Sequence, residues 1–386
     1  MLSRINLCLV AALTIVAAVA QTLPSANAAP VAYAFVSTGN PNNVYTLAVS
    51  SSGSFTHMGT ATSPTTIYHL SATSKFVFGI DDASNIYTYS IGSTGALKLV
   101  ATTNAGKYVS GFSSADSVAV IQLDETGSTL YTMVGTSATN WYMESFKIES
   151  NGALQFLGTA FADPNALSQI RFVQNGQLAL TAGCYNTAAG ASFVTDSDDV
   201  NDLVMYKRES SGLLTYVGTS HNTPVAQSPY EYCAGLPASD SDNHLAVGFT
   251  IFNPPGDDGE PGLALGTYTV SSTGTPSTTS DYENMPVTSV WAPEVVSIDP
   301  TGKLLAVGGD GNFEVFHLNG ANPITTYTGL VNSNNSERTI AWDKNSHMYL
   351  LTSHSVDIYD ITPASYTELK PWEFTDPYSM IVLSLQ

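Results

Sequence analysis

One phrase recurs along this chain and limits what it can become. Residues 51–60 read SSGSFTHMGT, 93–102 read STGALKLVAT, 150–159 read SNGALQFLGT and 210–219 read SSGLLTYVGT. Each is a turn with glycine third, followed by a short alternating run. Each also follows an alternating apolar strand, at 44–49, 86–91, 143–148 and 204–207. The glycine supplies the positive φ that a tight hairpin turn requires. Weaker copies surround Gly274 and Gly320.

The other half of the unit repeats as well. Apolar strands start near Tyr33, Phe76, Leu130, Leu178, Leu245, Leu304 and Met348. A strand-turn-strand unit returning seven times, at intervals of roughly 40 to 70 residues, predicts blades of a β-propeller. A pair of β-sandwiches would not repeat one phrase seven times. The first copy lacks an innermost strand. The chain ends in DPYSMIVLS (376–384), which matches SPTTIYHLS (63–71), the innermost strand of the next copy. The prediction is therefore an all-β, seven-bladed propeller with four-stranded blades, its ring closed by the C-terminal strand completing the first blade. One domain spans 29–386, with insertions at 185–202 in the fourth blade and 252–263 in the fifth. Long loops on a rigid ring are where binding concentrates.

The first 28 residues read differently. Met1 to Arg4 is a short positive leader, Ile5 to Ala20 is mostly apolar, and Ala26-Asn27-Ala28 suits cleavage after Ala28. That is the pattern of a secretory signal peptide, so the protein is expected to be exported, to the periplasm or the medium. A retained anchor is the alternative, though the apolar run is short for a span. No later segment is long and apolar enough to cross a bilayer, and a monomer is expected. Against 12 Lys+Arg stand 32 Asp+Glu, a formal net charge of −20. Such a surface repels phosphate backbones and anionic lipids, which disfavours nucleic acid and membrane as partners. Cys184 and Cys233 remain after Cys8 is removed with the leader. They read equally as a disulfide or as two buried thiols.

The phrase DPTGKLLAV, with STGALKLVATT and SSGLLTYVGTS, resembles the lactonase-type seven-bladed propellers, the 6-phosphogluconolactonase-like family. The resemblance covers the whole mature chain. It implies formation or hydrolysis of a lactone ring by glutamate, histidine and arginine near the central channel. The family's Pro-Arg-His phrase is not kept at 168–171 or 292–295. Only Arg171, Arg208 and Arg338 remain as arginines beyond the leader. A phosphosugar would want several cations, so an unphosphorylated or sugar-derived lactone is the expected substrate.

Aligning the copies puts Thr66, Ser117, Gln169, Glu231, Glu294, Arg338 and Ser379 at one level of the channel mouth. Lactone hydrolysis needs a base for water and a cation or donor for the developing oxyanion. Glu231 or Glu294 is the candidate base and Arg338 the candidate stabiliser, with Gln169, Ser117 and Thr66 as substrate contacts. A structural ion pair between Arg338 and one glutamate is the competing reading. His69 alternates with apolar residues and reads as a packed core histidine. No Gly-x-Ser-x-Gly elbow is present, which disfavours a serine hydrolase. No cofactor is required. Asp196, Asp198, Asp199 and Asp202 cluster oxygen ligands in the first insertion, where Ca2+ or plain solvation are the two readings. The alternative function is a non-catalytic scaffold that recognises a polymer or protein through the acidic inserted loops.

Overall fold

A computed structural model describes residues 29–112, 120–137, 140–163, 169–184, 201–220, 231–240, 242–252, 262–280, 284, 286–362 and 365–385. Residues 1–28 and most of both insertions lie outside these, and so do the readings placed on them.

The described residues form seven antiparallel blades in a ring. The first consists of Ala32–Gly39, Asn42–Val49 and Phe55–Thr62. Its inner edge is Pro377–Ser384, which pairs with Ala32–Gly39 from Ala32↔Ser384 to Thr38↔Pro377. The C-terminal strand thus completes the first blade. The second blade is His69–Ala72, Phe76–Ile80, Asn85–Ile91 and Leu97–Asn104. The third is Val120–Leu123, Thr129–Ser137, Asn140–Ile148 and Leu154–Asp163. Arg171–Val173, Leu178–Cys184, Asn201–Arg208 and Leu214–Ser220 make the fourth. The fifth is Glu231–Ser239, His244–Phe252, Gly262–Val270 and the two-residue Pro276–Ser277.

The last two blades share a strand. Val295–Ile298, Leu304–Gly308, Asp310–Asn319 and Asn322–Thr326 form the sixth. Val331–Trp342 starts on the edge of this blade, where Val331 pairs Phe313 and Asn332 pairs Asn312. It ends as the innermost strand of the seventh, where Trp342 pairs Met348. His347–Thr352, Ser355–Thr362 and Ser365–Glu373 complete that blade.

The core lies between blades, because each sheet is apolar on both faces. Among the described residues seven buried clusters occur, one at each junction of neighbouring blades. The decisive one joins Ala34, Val36 and Leu47 of the first blade to Tyr349, Val356 and Ile358 of the last. Apolar packing therefore closes the ring as the shared blade does, and it is non-directional enough to tolerate unequal blades.

Two turn devices hold neighbouring blades together. The glycine of the recurring phrase packs its turn into the preceding blade. Gly212 has φ +93°, and a Cβ there would stand 2.6 Å from Thr129 Oγ1. The Tyr131 hydroxyl donates to the Gly212 carbonyl at 2.5 Å. The second device is the aspartate opening the turn after several innermost strands. Asp299 Oδ1 accepts the backbone N–H of Lys303 at 2.8 Å and of Leu304 at 2.7 Å. Asp124 occupies the same place in the third blade and is ion-paired with Arg208 of the fourth. No helix among the described residues is long and apolar enough to cross a membrane.

Candidate functional site

The innermost strands present their edges to the ring axis, where they enclose a polar cavity of about 200 Å³. Gln169, Glu294, Arg338 and Ser379 line it, as the aligned repeats predict. Thr66 does not line it; its hydroxyl donates to Asn42 Oδ1 at 3.0 Å, bracing the loop between the first two strands of blade one. Glu231 opens the innermost strand of blade five, but its side chain lies outside the described residues, as do those of Asp202, Cys184 and Cys233. Ser117, Asp196, Asp198 and Asp199 fall wholly outside them. Among the described residues no cluster of three metal-ligating side chains occurs.

The rim on one side is built from blades six, seven and one. The Glu294 amide donates to the Gly308 carbonyl at 2.9 Å, which starts the strand there. The following loop folds back: Asp310 N–H donates to the Trp291 carbonyl at 2.7 Å, and Trp291 N–H to Asn312 Oδ1 at 3.0 Å. Gly309 permits this, because a Cβ would lie 2.2 Å from the Trp291 carbonyl oxygen. The loop brings Asp310 toward Glu294. Partial burial raises the Glu294 pKa, Asp310 raises it further, and Arg338 opposes both. Like charge beside a carboxylate favours its protonated form, and that is the setting of a general base poised to accept a proton.

Arg338 is exposed and fixed from the other side. Its guanidinium donates to the Pro377 carbonyl and lies 5.2 Å from the centre of the Tyr378 ring. It makes no ion pair with Glu294, so the structural-bridge reading fails for that pair. Ser379 is part of the closure: its amide donates to Ser37 Oγ, and its own Oγ accepts the Leu70 amide at 3.1 Å.

The channel also takes in polar and charged residues that the aligned level did not include. Gln122 and Arg171 lie deeper on their innermost strands, and His69 joins them. The reading of His69 as a core histidine is corrected here: it lines the axial cavity. Burial, and secondarily the charge of Arg171, hold its pKa down to about 4. Its imidazole is therefore neutral at neutral pH. Arg171 donates to the Ile170 carbonyl at 3.0 Å, to Gln122 Oε1 at 3.5 Å and to Gln169 Oε1. The signal in the sequence was an arginine inside a strand otherwise made of buried residues.

No protein-family model matches the chain, and no curated protein matches it either. Solved structures do. A protein from Lactobacillus plantarum superposes with TM-score 0.65 at 11% identity, covering 92% of this chain and 99% of that one. A proposed 6-phosphogluconolactonase from Bacteroides fragilis superposes with TM-score 0.62 at 13% identity, over 94% of this chain and 100% of its own. Another, from Bacteroides uniformis, gives 0.59 at 12%, over 91% and 99%. At these identities the likeness is one of fold.

Proposed function

We propose that the protein hydrolyses an unphosphorylated lactone at the mouth of the axial cavity. The observation that carries this is Glu294 on the cavity rim, with its proton affinity raised beside Asp310 and an arginine within its field. The fold shared with proposed 6-phosphogluconolactonases supports the reaction class. In this reading Glu294 takes a proton from water as the water oxygen attacks the lactone carbonyl. Arg338 stabilises the oxyanion that forms. The ring C–O bond then breaks, and Glu294 returns the proton to the departing alkoxide. The product is a hydroxy acid, which releases one proton at neutral pH. Glu231 remains the second candidate base. No cofactor enters, so a chelator leaves the rate unchanged. Export through residues 1–28 is part of the proposal, and N-terminal sequencing of protein recovered outside the cytoplasm would check it.

The test is proton release on a panel of unphosphorylated lactones by the purified protein. Glu294→Gln is expected to lower kcat by about 10²- to 10⁴-fold while leaving the melting temperature unchanged. Undiminished turnover in Glu294→Gln refutes that assignment. A folded protein inert on the whole panel leaves the non-catalytic scaffold as the better reading.

A further inference from the structure

Of the three arginines beyond the leader, Arg208 is paired with Asp124 and Arg338 stands in the field of Glu294. Arg171 has neither kind of company. Among the described residues its guanidinium meets only neutral acceptors: the Ile170 carbonyl and the side-chain oxygens of Gln122 and Gln169. No described carboxylate lies within ion-pair distance of it. His69 beside it offers no compensation, being neutral. A guanidinium cannot readily shed its proton, and even with burial its pKa falls only to about 10. An enclosed cation that no described carboxylate offsets is costly to keep for folding alone.

We propose that the floor of the axial cavity is a binding site for a small hydroxy monocarboxylate, seated on the Arg171 guanidinium. The planar fork of arginine matches the two oxygens of a carboxylate. Of the two arginines that line the cavity, Arg338 already stands in the field of Glu294, so Arg171 is left to meet one negative charge; the chain's formal charge of −20 disfavours a dianion such as phosphate. The hydroxyls of Ser297 and Thr339 line the same cavity and bond to no other described residue. They are free to meet hydroxyl groups on the acid. The volume of about 200 Å³ suits a small ligand, such as a short-chain acid. The inference does not rest on turnover, since a protein that never opens a lactone would still bind the acid. If turnover holds, the acid it makes is of this class.

Calorimetric titration with lactate and 4-hydroxybutyrate, in buffer free of other carboxylates, tests it. Lactamide serves as the neutral isostere, propionate as the acid lacking the hydroxyl, and inorganic phosphate as the dianion. Lactate is expected to bind better than all three. Arg171→Gln is expected to weaken lactate about 10- to 100-fold. The unliganded variant should melt at the same or a higher temperature, because an uncompensated charge has been removed. An arginine kept for structure would instead lower the melting temperature. A paired variant, Ser297→Ala with Thr339→Val, leaves the guanidinium in place and should erase the preference for lactate over propionate. Lactamide binding as tightly as lactate, phosphate binding more tightly, undiminished affinity in Arg171→Gln, or no binding by either acid would each overturn the assignment.

Discussion

Glu144 sits fully buried in the third strand of blade three, and neither carboxylate oxygen has a hydrogen-bond partner. Burial alone pushes its pKa up to about 8, so at neutral pH the folded protein holds a proton there that the unfolded chain releases. The sign follows: stability falls as pH rises from the unfolded value of 4.5 through about 8, and no further above that. The span is worth up to about 5 kcal/mol. Glu144→Gln mimics the protonated acid. It is expected to melt like the wild type at pH 5 and well above it at pH 8, as a pH series of thermal melts would show. A constant difference between the two proteins would contradict this. Glu144 and Arg171 share a reason for having escaped the sequence. A charged residue in an alternating strand looks like its solvent face, and only the neighbouring blade decides that the face is covered. Glu294 and Arg338 were legible because they open innermost strands, at a level that the repeats fix.

At the scale of elements, the repeated turn was legible for a definite reason. Gly152 has φ +87°, and an added Cβ would stand 2.8 Å from the Phe76 ring of the preceding blade. Conformation and contact both demand glycine, so the phrase keeps it copy after copy. Gly218, near the end of the same phrase, lies beside a β-bulge where Met205 pairs Gly218 and Tyr206 pairs Tyr216. Nothing lies within 4 Å of its would-be Cβ. Gly152→Ala should therefore cost about 1–3 kcal/mol, while Gly218→Ala stays within about 0.5 kcal/mol of wild type. Denaturant titrations of both variants check the contrast, and equal effects would remove the argument. Val331–Trp342 was not legible. Its first half, VNSNN, lacks apolar alternation, and its place on the edge of blade six comes from backbone pairing to Asn312 and Phe313.

For the whole molecule the closure strand matters most. Removing residues 377–386 strips the inner edge from blade one and takes Met380 out of the cluster that joins the first and last blades. The loss is expected to be comparable to the ~5–15 kcal/mol that holds a domain folded. The truncated protein should show no cooperative melt, and a peptide of residues 377–385 added in trans should restore one. A sharp unaided transition in the truncated protein would mean that apolar packing closes the ring without the shared blade.

The same closure sets a clock on biosynthesis. Ala32 is made well before its partner Ser384, which lies about 350 residues further along the chain. At about 5–20 residues per second, the inner edge of the first blade waits on the order of 20–70 s for its strand. For that interval it presents unpaired backbone amides and carbonyls to any other nascent chain nearby. The exposure of the strand at 32–39 therefore lasts until the strand at 377–384 has been made.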